Sequence, residues 1–137
     1  MKTRLSIVAL TLAALSGAQA ATPPCPIANE RPMIEATLFF GLDIHGRGPV
    51  TAREWRRFAA EVLTRQFPDG FTVSAGEGQW RDPHTGVVVR EKSKVLLVAG
   101  PDNQDFVRAI SVAADAYKRR FRQLSVGILT HPACGAF

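Results

Sequence analysis

The densest set of reactive side chains in this chain lies in one stretch, Phe71 to Gly100, FTVSAGEGQWRDPHTGVVVREKSKVLLVAG. It carries Glu77, Gln79, Trp80, Arg81, Glu91, Ser93 and Lys94. Two carboxylates held close together repel. One of them then keeps its proton more readily and serves as a general acid or base. In that chemistry Gln79 and Lys94 would place a substrate and Trp80 would wall the pocket. The same residues also build an ordinary hairpin, with both carboxylates exposed beside Arg or Lys and Trp80 lying over strand backbone. The second use is the commoner one for such a set, because structural ion pairs outnumber catalytic dyads.

Two strands and a turn must position these groups. Phe71, Val73 and Ala75 alternate with Thr72, Ser74 and Gly76, the period of a half-buried strand. Asp82-Pro83-His84-Thr85-Gly86 has turn composition, and Val87 to Ala99 is a second β-rich run. Pairing Arg81 with Val87 sets Glu77 opposite Glu91, Gln79 opposite Val89 and Val73 opposite Val95. Gly76 and Gly78 mark a place where a bulge would shift that register by one and exchange the faces.

The rest of the chain supplies the scaffold. Ile34 to Leu42 reads as a strand with Ala36, Leu38 and Phe40 on one face and Phe39 on the other. A Gly46-Arg47-Gly48-Pro49 loop leads to Thr51 and Glu54, a capping box. Trp55, Phe58, Val62, Leu63 and Phe67 then recur at helical spacing. Glycine-rich loops before a helix can attract anions, but the plain reading is a turn. After Gly100-Pro101, Asp102 is placed to cap a second helix, whose apolar stripe is Phe106, Ile110, Ala113, Ala114, Tyr117 and Phe121. Ser125 to Thr130 is a last short strand. The order β-α-β-β-α-β predicts a ferredoxin-like α+β sandwich, an antiparallel four-stranded sheet with two helices on one face. The other face is then open, with Phe39, Leu96 and Val98 expected on it. Such a face points to a partner, most simply a second copy forming a homodimer.

Compartment and partners follow from the ends and the charge. Residues 1–20 read as a signal peptide: Lys2 and Arg4, a short apolar core from Leu5 to Leu15, and Ala18-Gln19-Ala20. The apolar run is too short for an ordinary span, so export to the periplasm or medium is expected, with no membrane partner after cleavage. Residues 21–33 read as an extended Pro-rich arm and 34–137 as a single domain. Net charge is +5 for the whole chain. Removing Lys2 and Arg4 leaves +3, spread without a basic stripe, so nucleic acid is not an expected partner. Cys25 and Cys134 are the two cysteines, and an even pair in an exported chain predicts a disulfide. Its long loop would contribute roughly 3–5 kcal/mol. His45, His84 and His131 fall in separate segments without HxH or HExxH spacing, so no metal and no cofactor is expected.

The segments TLFFGL (37–42), TAREWRRF (51–58), RQFPDGFTV (65–73), GQWRDP (78–83), REKSKVLLV (90–98), AYKRRF (116–121) and PAC (132–134) resemble the domain of unknown function 3574 family of bacterial exported proteins. The resemblance spans nearly the whole chain after residue 20. It implies one small exported domain with a paired hairpin, and it assigns no reaction and no catalytic residue. The expected function is therefore the binding of a small ligand or a partner, with a small enzyme using a hairpin glutamate as acid or base as the alternative.

Overall fold

The computed structural model describes residues 25–137, so the expected signal peptide lies outside the described residues. Strand β1, Arg31–Gly41, alternates faces as its sequence requires: Ala36, Leu38 and Phe40 are fully buried, while Phe39 is 40% exposed. The strand starts three residues before the expected Ile34, so Arg31 to Met33 belong to the sheet rather than to the arm. Arg31, Pro32 and Met33 pair with Gly135, Cys134 and Ala133, and Met33 also faces Pro101. The Pro-rich composition hid this because Pro32 sits at the strand's margin, where a missing N–H costs least.

The first helix opens with Ala52–Phe58, passes through a π-helical segment Ala59–Leu63 and closes with Thr64–Gln66. Its capping box forms as expected, Thr51 accepting the Glu54 N–H and Glu54 accepting the Thr51 N–H. Arg47 adds a two-pronged ion pair to Glu54, 3.0 and 2.9 Å, so this arginine braces the helix start. The π segment explains the five-residue step between Phe58 and Leu63, both fully buried.

Strands β2, Thr72–Arg81, and β3, Val88–Pro101, form the hairpin. The second helix, Gln104–Phe121, buries all six residues of its expected stripe. Its cap is Asn103, whose side chain accepts the Phe106 N–H, and not Asp102. Strand β4, Gly127–Gly135, runs well beyond the expected Thr130 because it pairs with β1 from Arg31 to Phe39. The sheet is antiparallel in the order β2-β3-β1-β4, the ferredoxin-like arrangement expected. Cys25 and Cys134 are disulfide-bonded across a separation of 109 residues, tying the segment before β1 to the end of β4.

Both helices cover one face of the sheet. Between them and the sheet lies an aromatic cluster: Phe40 packs edge-on against Tyr117 at 4.7 Å, Trp55 at 5.5 Å and Phe58 at 6.0 Å. Each such side chain contributes roughly 1.5–3 kcal/mol on burial. The opposite face is left open by the described residues. Leu96 and Val98, expected there, belong instead to the core, at 0% and 3% exposure. They sit opposite Leu38 and Ala36, so the alternation of β1 carries them to the helix side. Among the apolar residues that do stand on the open face, Phe39, Leu97 and Leu129 are exposed.

Candidate functional site

The hairpin register differs by one residue from the expected one. Asp82 donates its N–H to the Val87 carbonyl, so Asp82 and Val87 flank the turn and Arg81 lies opposite Val88. Pairing is continuous from there, and no bulge is needed. The turn is held by Asp82 Oδ1, which accepts the N–H groups of His84 and Thr85; these bonds hold the Asp82 pKa below the usual carboxylate value. Gly86 closes the turn at φ +71°, the left-handed region suited to glycine.

This register removes the carboxylate pair. Glu77 faces Lys92 and Gln79 faces Arg90, while Glu91 faces Gly78 and Ser93 faces Gly76. Glu91 and Ser93 therefore stand on the open face among residues without side chains. Gly41 of β1 pairs with Ser93 on the other flank, and Gly127 of β4 pairs with Phe39. Gly41, Gly78 and Gly127 line the surface beside Glu91, and Gly41 is the one that meets its carboxylate. A Cβ on Gly41 would lie 2.6 Å from Glu91 Oε2 and 2.7 Å from Oε1, so the carboxylate rests on bare backbone.

Two donors hold it there. Trp80 Nε1 donates to Glu91 Oε1 at 3.0 Å, and the Asp43 N–H donates to Oε2 at 3.2 Å. The floor is fixed from behind: the Tyr117 hydroxyl, in the core, donates to the Gly41 carbonyl at 2.7 Å. Burial, with the Glu91 and Glu54 charges nearby, raises the Tyr117 pKa, so this donor keeps its proton. The Gln123 amide donates to the Asp43 carbonyl at 2.5 Å and fixes the loop after β1. Among the described residues no cation lies within 4.0 Å of Glu91.

Around this carboxylate is a cavity of about 550 Å³. Phe39, Trp80, Val89 and Leu124 give it apolar walls; Asp43, Asp82, Ser93 and Gln79 add polar groups. Arg122 also lines it. That residue ends the second helix in the left-handed conformation, φ 51°. Of the residues picked out by sequence, the structure brings Gln79, Trp80, Glu91 and Ser93 to the cavity. Glu77, Arg81 and Lys94 are not part of it. Glu77 lines a separate, more open hollow of about 400 Å³ with Arg90 and Lys92, and Gly78, Gln79 and Glu91 border both. Arg81 donates to the Gly86 carbonyl at the turn, and Lys94 lies opposite Ala75 and Phe40 on the helix side. Sequence reasoning missed Gly41 and Arg122, and it weighed the loop that begins at Asp43 apart from the hairpin. The one available signal was the recurrence of glycine beside Glu91 and Ser93.

Comparison with known proteins gives a family without an assigned activity. Residues 35–137 match the model of "Protein of unknown function (DUF3574)". The chain belongs to this family. No curated protein matches it. Among solved structures, a phage SAM lyase in complex with S-methyl-5'-thioadenosine aligns with a TM-score of 0.61 at 16% identity, covering 77% of this chain and 90% of that one. A phage SAM lyase in its apo state aligns with a TM-score of 0.61 at 18% identity, covering 81% and 87%. At these identities the likeness is one of fold.

Proposed function

We propose that this DUF3574 domain is an exported binding module that takes a small molecule into the Trp80–Glu91 cavity. One observation carries the reading: a carboxylate seated on bare glycine backbone, oriented by two N–H donors, opens into a partly apolar cavity, with no cation of the described residues within 4.0 Å of it. An acceptor held at fixed geometry among apolar walls is the usual anatomy of a ligand site. The disulfide fits an oxidising compartment, which supports export. A fragment library followed by 1H–15N correlation spectra tests the site. The Trp80 indole N–H and the amides of Gly41, Gly78 and Gly127 should move first. Hits that map to the helices, with these signals still, would refute it.

The enzymatic alternative has one observation in its favour, that the solved structures sharing this fold include SAM lyases. In this reading Glu91 is the acid or base. Turnover of SAM that is lost in Glu91→Gln supports it; unchanged SAM after prolonged incubation at high protein concentration counts against lyase activity.

A second copy of the chain is the partner we infer for the strip formed by Phe39, Leu97 and Leu129. The Glu35–His131 pair, 3.4 Å apart, sits toward one end of this face and Glu91 toward the other. A two-fold axis across the strands would set His131 of each copy over the acidic end of the other. Light scattering over a concentration series should show a dimer that Leu129→Asp disperses.

A further inference from the structure

The charges of the cavity identify a ligand class, an assignment that rests on the small-molecule reading above. In the hairpin, Arg90, Lys92 and Lys94 alternate with Glu91 and Ser93, so the three cations share the strand face of Leu96 and Val98, and among the described residues none lies within 4.0 Å of Glu91. Arg122 is the one arginine that lines the cavity among the described residues, and its guanidinium has no carboxylate of those residues within 4.0 Å. Its place is set by the backbone: the second helix ends there in a left-handed turn, with the Arg122 N–H donating to the Lys118 carbonyl. Each Glu91 oxygen has one donor and a lone pair to spare. Of the three carboxylates in the lining, that of Asp82 is engaged by the turn and that of Glu91 is anchored at the Gly41 backbone, with Asp43 beside it; Arg122 is the one arginine, and Phe39 and Val89 give apolar walls.

We infer that the ligand is a free α-amino acid with an apolar side chain, its ammonium group on Glu91 and its carboxylate on Arg122. A molecule bearing both charges satisfies both groups; a simple anion meets the repulsion of Glu91, and a simple cation leaves the guanidinium without its partner. The side chain lies along Phe39 and Val89, which distinguishes apolar from charged amino acids.

The test uses the exported protein with its disulfide intact and three probes for each of leucine, methionine and phenylalanine: the free amino acid, its methyl ester, which keeps only the cation, and its N-acetyl derivative, which keeps only the anion. The readout is the indole N–H of Trp80, one of two tryptophans in the chain. At least one free amino acid should shift it and bind roughly tenfold or more tightly than either derivative, the factor expected for losing one charged hydrogen-bonded contact. Glu91→Gln should erase the preference over the N-acetyl derivative, and Arg122→Gln the preference over the ester; dispersed amide spectra establish that each variant is folded. A derivative that binds as tightly as its parent overturns the amino-acid assignment and leaves the cavity as a ligand site. So does an indole that fragments shift and no amino acid does. An indole that neither set shifts overturns both.

Discussion

Replacing Gly41 with alanine tests whether Glu91 is seated where the structure puts it. The new Cβ would stand 2.6–2.8 Å from the carboxylate atoms, closer than real Cβ contacts come. The carboxylate is the far end of a flexible side chain, so it swings aside and the strand stays. Both of its hydrogen bonds, from Trp80 Nε1 and the Asp43 N–H, are then lost. Each is worth about 0.5–1.5 kcal/mol net, a combined loss of ~1–3 kcal/mol. Alanine returns ~0.4–1 kcal/mol by restricting the unfolded chain, since Gly41 does not need a positive φ. The expected net destabilisation is about 0.5–2 kcal/mol. In a Glu91→Ala background there is no carboxylate to displace, and Gly41→Ala becomes neutral or slightly stabilising. Urea unfolding of the four proteins measures the coupling, expected near ~1–3 kcal/mol. An equal cost of Gly41→Ala in both backgrounds would refute the seating of Glu91 on Gly41, and with it the basis of the binding site.

Three further outcomes are expected. Hydrogen bonds from Arg47 and Thr51 lower the Glu54 pKa to about 2 in the folded chain from an ordinary 4.5, so the ionised form favours folding; the melting-temperature gap between wild type and Glu54→Gln should hold above pH 4.5 and close as pH falls through about 2. Cys134→Ala together with Cys25→Ala should cost ~4–5 kcal/mol in urea unfolding, from the 109-residue separation, and reduced wild type should match the variant. Gly100→Ala puts a Cβ 2.3 Å from two atoms of the Phe106 ring, which lies in the core, so it should cost at least ~1–3 kcal/mol, and unlike Gly41→Ala it should not be relieved by Glu91→Ala.

The elements of this fold are legible where a period forces one answer. The stripe from Phe106 to Phe121 has one helical solution, and Ala36, Leu38 and Phe40 have one strand solution, so both were readable and both are buried. The capping box and the disulfide are likewise local or arithmetic signals. Strand ends were less so. β4 reaches Gly135 only because β1 is there to pair with it, a long-range fact that residues 131–135 do not advertise. Asp102 and Asn103 are equally good caps by composition, and only the geometry after Pro101 selects Asn103. Leu96 and Val98 were misplaced because an almost continuous apolar run, Val95 to Ala99, carries no alternation to say which residues point inward.

The candidate site turned on a single residue of register. Within β3 the partition is fixed whatever β2 does: Glu91 and Ser93 share a face, and Arg90, Lys92 and Lys94 share the other. What the turn decides is which residues of β2 join them. Closing the turn at Arg81–Val87 would set Glu77 beside Glu91, and mutual repulsion would then supply a reason for proton exchange. Closing it at Asp82–Val87 brings Gly76, Gly78 and Trp80 to that face instead. Repulsion disappears with the second carboxylate, and in its place come an indole donor and room for a guest. The sequence contains the parts for either outcome. The bond from the Asp82 N–H to the Val87 carbonyl selects the second, and that is why this hairpin supports recognition of a molecule better than acid–base chemistry upon one.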